Sequence, residues 1–212
     1  MHTFIEPLIL YAVLFFRISS GTAPSEEAVL FSANAELVRI FMYNIPSLAL
    51  VWYLMLKTKS LKEWGVGLPG KRDALPGLIG FALIVAVGFA VFFAARGLGG
   101  LPEGPRVSTP TSIAPWAALI VSVFVGAYLE ESFFRFYLLS KREEMGLGPH
   151  RAVFVSTLLF AVCHLHAGLW GFVNAAVSGT ALAYVFLRTR SLHGVSVAHG
   201  MYNVLAFVLG PA

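Results

Sequence analysis

The sequence predicts an all-α fold: a polytopic membrane bundle of about seven transmembrane helices. Two compositional observations and one pattern carry this. Of 212 residues, 58% are hydrophobic and only 12% are charged, where a soluble domain runs near 45–50% apolar with about 25% charged. The mean hydropathy is +0.77. A water-soluble monomer of this size cannot hide so much apolar surface in one core. An ordinary soluble enzyme, a disordered chain and a fibrous repeat are therefore excluded. A single cysteine, Cys163, excludes an internal disulfide framework and any Cys-rich metal site. The net charge of +4 is read as basic loops held at the cytoplasmic face of a membrane, not as a nucleic-acid surface.

The pattern is a series of apolar runs approaching the ~20 residues that a spanning helix requires. The first runs from Phe4 to Ile18. It is short, but it lacks the basic flank and cleavage site of a signal peptide. The second runs from Leu37 to Leu56 and contains Pro46; the third covers Leu75 to Ala95. The fourth, Ile113 to Leu139, is interrupted by Glu130, Glu131 and Arg135. The fifth spans Ala152 to His166, the sixth Leu169 to Leu187 and the seventh Leu192 to Leu209. Proline and glycine within such segments are tolerated where neighbouring helices re-satisfy the backbone.

The connections fit the positive-inside rule. Lys57, Lys59, Lys62, Lys71 and Arg72 follow the second segment; Lys141, Arg142 and Arg151 follow the fourth; Arg188 and Arg190 follow the sixth. The opposite side holds only Arg17, Arg39, Arg96 and Arg106. The alternation predicts a cytoplasmic N-terminus and an external C-terminus. With no repeat and no long linker, residues 1–212 read as one membrane domain.

Charged residues inside a spanning helix cost roughly 2.5–3.5 kcal/mol each on insertion scales, so they are functional hypotheses by default. Glu131 and Arg135, four apart, can meet on one helix face and form a structural ion pair. Glu130 is turned about 100° away from Glu131 and must find its partner elsewhere. His164 stands four residues after Phe160, and Asn203 four after His199. Counted from the cytoplasmic end, Glu130 lies roughly 14 Å deep, His164 roughly 18–20 Å, His199 about 11 Å and Asn203 about 17 Å. A carboxylate, imidazoles and an amide thus share a layer. The other polar candidates are weaker. His166 and His193 are expected at the interface, His2 and His150 in a terminus or loop, and Cys163 in packing. Ser132 lacks the context of a serine nucleophile.

A carboxylate and an imidazole converging on one water suit general-base hydrolysis, and a second imidazole with an amide suits a developing oxyanion. The same types, Glu130, His164 and His199, could instead bind zinc, but the spacing is not that of the His-Glu-x-x-His helix. A proton-relay transporter is a competing class; it would favour an internal inverted repeat, and none is found.

Glu130-Glu131-x-x-x-Arg135, Phe160-x-x-x-His164 and His199-x-x-x-Asn203, in this order on successive apolar segments, resemble the CPBP (Abi) family. That group includes the type II CaaX prenyl endopeptidases and bacterial bacteriocin-processing and self-immunity proteins. The glycine-bearing stretch Asn174 to Tyr184 is also typical of it. The resemblance covers about residues 113–209, the expected catalytic core. It implies an intramembrane endopeptidase in which Glu130 and His164 activate water, His199 and Asn203 stabilise the oxyanion, and Glu131, Arg135 and Phe160 orient the site. A metal-free glutamate mechanism is favoured over zinc. The implied partners are the lipid bilayer and a membrane-anchored substrate: a CaaX-like tail, a leader peptide or a C-terminal sorting tail. A non-catalytic immunity or scaffold protein is the other reading of the same fold.

Overall fold

The structure is a computed structural model and describes residues 31–99 and 108–209. The segment Phe4 to Ile18, His2, Arg17 and Arg106 lie outside the described residues. Within them all regular structure is helical. We number the helical segments α1 (Ala33–Leu56), α2 (Lys71–Gly97), α3 (Ile113–Ser140), α4 (Pro149–Val162), α5 (Leu165–Thr189) and α6 (Leu192–Leu209). Five of them, all but α4, are long and apolar enough to cross a membrane. The expected count of about seven is thus supported for five spans and one shorter apolar helix.

The helix ends follow from local chemistry. Ser32 caps α1, its hydroxyl accepting from Ala35 N–H at 3.3 Å. Proline cannot donate to the helix and its ring crowds the carbonyl four residues back. Just before Pro46, α1 widens into a π-helical turn over Arg39–Asn44. Asp73 secures the start of α2: one carboxylate oxygen accepts from Gly70 N–H at 2.9 Å, the other from the Ser191 hydroxyl at 2.5 Å. Arg190 ends α5 in the left-handed conformation, φ 53°, and lets α6 start two residues later.

The registers show that neighbouring segments alternate in direction. Gly77 on α2 meets Gly194 on α6, and Gly88 meets Tyr202, so α2 and α6 run parallel. A Cβ on Gly77 would come 3.2 Å from the Gly194 carbonyl oxygen, which is why these two backbones need glycine to approach. His193 reaches Tyr128 near one end of the α3–α6 contact and Phe207 meets Trp116 near the other, so those helices are antiparallel. On α1 and α3, Glu36 contacts Ser122 and Trp52 contacts Ser132, so they are parallel.

The basic connections gather at one end of the bundle. Arg190 donates to the Trp64 carbonyl and to the Ser140 hydroxyl, joining the connection after α1, the end of α3 and the α5–α6 turn. His193 Nε2 lies 3.0 Å from the Gly67 carbonyl oxygen and Nδ1 lies 2.8 Å from the Tyr128 hydroxyl. It is therefore a buried bolt between three elements, not the interfacial residue its position near a helix end suggests. Exposed apolar side chains such as Phe41, Met42, Phe93 and Phe154 ring the outside, as a hydrocarbon solvent permits. The core is an aromatic block of Phe133, Phe134, Phe136, Tyr137 and Phe186.

Two boundaries differ from expectation. The fifth segment does not continue helically to His166. α4 ends at Val162, and after 14 residues the chain turns through His164 into a short 3-10 turn, Leu165–Ala167. Gly168, at φ 72°, makes the corner. His164 thus sits half-buried in a turn at the end of a helix about 21 Å long. His150, expected in a loop, is in the first turn of α4, 2.8 Å from the Tyr184 hydroxyl.

Candidate active site

The segment of α3 that carries the charged motif is not a plain α-helix. Immediately after Glu131 it widens into a π-helical turn, Ser132–Tyr137, every residue of which is buried. Such turns often occur at functional sites. Here the Arg135 guanidinium lies against the preceding turn, with Nη1 3.0 Å from Glu131 Oε1, and both side chains are almost inaccessible, at 1% and 0% exposure. The expected ion pair is present. Arg135 Nη2 also donates to the Gly179 carbonyl at 3.2 Å, and its guanidinium stacks 4.5 Å from the Phe160 ring centroid. A buried charge needs partners, and α3, α4 and α5 each supply one: a carboxylate, a ring face and a carbonyl.

Glu131 does more than the sequence suggests. The oxygen that faces Arg135 also accepts from His199 Nδ1 at 2.9 Å. It therefore fixes the imidazole of α6, leaving Nε2 on the other edge of the ring. That Nε2 lies 3.8 Å from Glu130 Oε2. Glu130 finds its neighbour on α6, as its rotation away from Glu131 requires. The separation is too long for a hydrogen bond, and Glu130 Oε2 has no hydrogen-bond partner among the described residues.

His164 is oriented by its own backbone. Its Nδ1 lies 2.8 Å from the Phe160 carbonyl oxygen. A carbonyl only accepts, so Nδ1 carries the proton and donates, and Nε2 of the neutral ring is left with its lone pair. Glu130, His199 and His166 are near enough to act on His164 electrostatically. Phe160 forms the wall between the groups: its ring is 4.5 Å from the His164 ring and 5.8 Å from that of His199. Asn203, one turn beyond His199 on α6, is half-buried. It makes no side-chain hydrogen bond among the described residues.

Other candidates take structural places. The Ser132 hydroxyl accepts from Trp52 Nε1 at 3.1 Å. Cys163 is buried. His166 Nδ1 faces the Cys163 carbonyl at 3.0 Å. Among the described residues no three of His, Cys, Asp and Glu are grouped so as to hold a metal ion.

Gly179 was visible only as one glycine in a glycine-bearing helix. Its role is steric: a Cβ there would come 2.9 Å from Phe160 Cδ1 and 3.3 Å from Arg135 Nη2. Gly179→Ala is therefore expected to push the Phe160 wall and the guanidinium apart. Overpacking of this kind costs about 1–3 kcal/mol. Thermal unfolding in detergent measures it; an unchanged melting temperature would contradict this packing.

The fold and this cluster define a class: an integral membrane helical protein with a buried carboxylate, imidazole and guanidinium centre. Residues 112–205 match the family described as type II CAAX prenyl endopeptidase Rce1-like. That segment, which contains every motif residue, is what the chain shares with this family of membrane proteases. Comparison with curated proteins and with solved structures gives no match.

Proposed function

We propose that the protein is an intramembrane endopeptidase that hydrolyses a peptide bond of a membrane-associated substrate with water activated by Glu130 and His164. The observation that carries this reading is a buried carboxylate oxygen on Glu130, unbonded among the described residues and within electrostatic reach of a His164 ring whose Nδ1 proton is committed to the Phe160 carbonyl. Both then present acceptors, which is what a general base requires. Water gives its proton to this pair as its oxygen bonds to the scissile carbonyl carbon. His199 as the doubly protonated imidazolium, with Nδ1–H held by Glu131 and Nε2–H free to donate, and Asn203 through its amide N–H stabilise the resulting oxyanion. Collapse re-forms the carbonyl and breaks the C–N bond, and the proton returns to the leaving amine. Glu131, Arg135 and Phe160 hold the imidazole of α6 in place. No step is routed through a metal.

The substrate class that suits this site is a membrane-anchored tail: a CaaX-like terminus, a leader peptide or a C-terminal sorting tail. The test is cleavage of a defined membrane peptide by purified protein. Asn203→Ala is expected to lower turnover by about 10²–10³, the usual loss for one oxyanion donor, without lowering the melting temperature. Full turnover in that variant would remove Asn203 from the mechanism.

We further propose that the basic end of the bundle faces the cytosol, which gives the site access from that half of the membrane. A single cysteine placed at Lys59, in a Cys163→Ala background, should resist an impermeant external thiol reagent in intact cells. Its labelling would reverse the orientation.

A further inference from the structure

The hydrolytic water must reach a centre surrounded by hydrocarbon-facing helices, and one side chain outside the motif residues bears on how it does. Asn44 closes the π-helical turn of α1 and is buried to 1% exposure. Its Oδ1 has no hydrogen-bond partner among the described residues. A Cβ on Gly126 would lie 3.8 Å from Asn44 Nδ2, so the amide faces α3 at a position without a side chain. Gly126 stands one turn before Glu130, and residues four apart share a helix side. Along α3 that turn is a rise of about 6 Å. Glu130 Oε2 is itself buried and unbonded.

Both unbonded atoms are acceptors. A carboxylate oxygen and an amide oxygen cannot satisfy each other, but water, with two O–H donors, can serve both. Buried polar atoms left without protein partners are commonly paired with internal water. The π-helical turn that turns Asn44 inward is also an irregularity of the kind found beside functional sites. We propose that Asn44 and the side-chain-free surface at Gly126 hold internal water, one molecule or a short file, against Glu130. Asn44 is then a positioning residue for the hydrolytic water. This rests on the reading of Glu130 as the base.

The decisive variant is Gly126→Ala. The added methyl meets Asn44 at an ordinary contact distance, and alanine is the better helix former. A purely structural role for this spot therefore predicts an equal or higher melting temperature and unchanged turnover. Displaced water predicts the same melting temperature with kcat at least tenfold lower and KM unchanged. Asn44→Leu, which keeps the volume and removes the amide, should lower kcat in the same way. Turnover of both variants within twofold of the parent, or loss that tracks only the loss of folded protein, would overturn the proposal. A high-resolution structure of the parent gives a readout independent of turnover: ordered water within hydrogen-bond distance of Asn44 Oδ1. Its absence overturns the proposal even if Glu130→Gln is inactive. Its presence in a protein that cleaves nothing would instead retain the water site and defeat the peptidase reading.

Discussion

Replacing Glu130 with glutamine is expected to abolish peptide hydrolysis and leave the protein folded. Gln has the shape of Glu but not its basicity, and loss of a general base typically lowers rate by about 10²–10⁴. The fold should tolerate the change for a specific reason. Glu130 Oε2 has no hydrogen-bond partner among the described residues, and His199 Nε2 is 3.8 Å away. No close hydrogen bond made by that oxygen is lost. Expression and melting temperature in detergent should match the parent while product formation falls to background. Full activity in Glu130→Gln would remove this residue from the mechanism.

The neighbouring charges should behave in the opposite way. Glu131→Ala leaves the Arg135 guanidinium buried without its carboxylate and frees the His199 ring. Arg135→Ala leaves Glu131, at 0% exposure, with only the His199 ring as a partner and also removes the link to the Gly179 carbonyl. Breaking a buried pair from one side costs about 3–5 kcal/mol. Each single variant should therefore express poorly or melt well below the parent. The double variant should be less damaged than the sum of the two. A double-mutant cycle with no coupling would sink the ion-pair account. The two effects separate the carboxylates: Glu130 is expected to report in turnover, Glu131 in stability first.

Much of this arrangement was legible in the sequence because intramembrane charge is costly and therefore conspicuous. The positions of Glu131 and Arg135 four residues apart predicted their pairing, and the rotation of Glu130 predicted a partner on another helix. The apolar runs gave α1, α2, α3, α5 and α6 to within a few residues. The parts that were hidden share a cause: they depend on the backbone, which side-chain spacing does not report. The π-helical turn of α3 leaves no periodicity signal, because every side chain from Ser132 to Tyr137 is buried. The end of α4 depends on the corner at Gly168, and the orientation of His164 on a carbonyl of its own helix. His193 shows the limit of reading depth from position. It stands at the start of α6, yet packing of the Gly67 connection over it makes it buried.

The central claim is that the residues of this chain alone activate the water. It is tested most directly by incubating purified, exhaustively chelated protein with a defined membrane peptide in ¹⁸O-labelled water and analysing the products by mass spectrometry. The expected result is two fragments, with one ¹⁸O in the new carboxylate, formed at the rate seen before chelation and absent with Glu130→Gln. Cleavage that stops on chelation and returns with one equivalent of zinc would contradict the account, and so would a peptide that remains intact throughout.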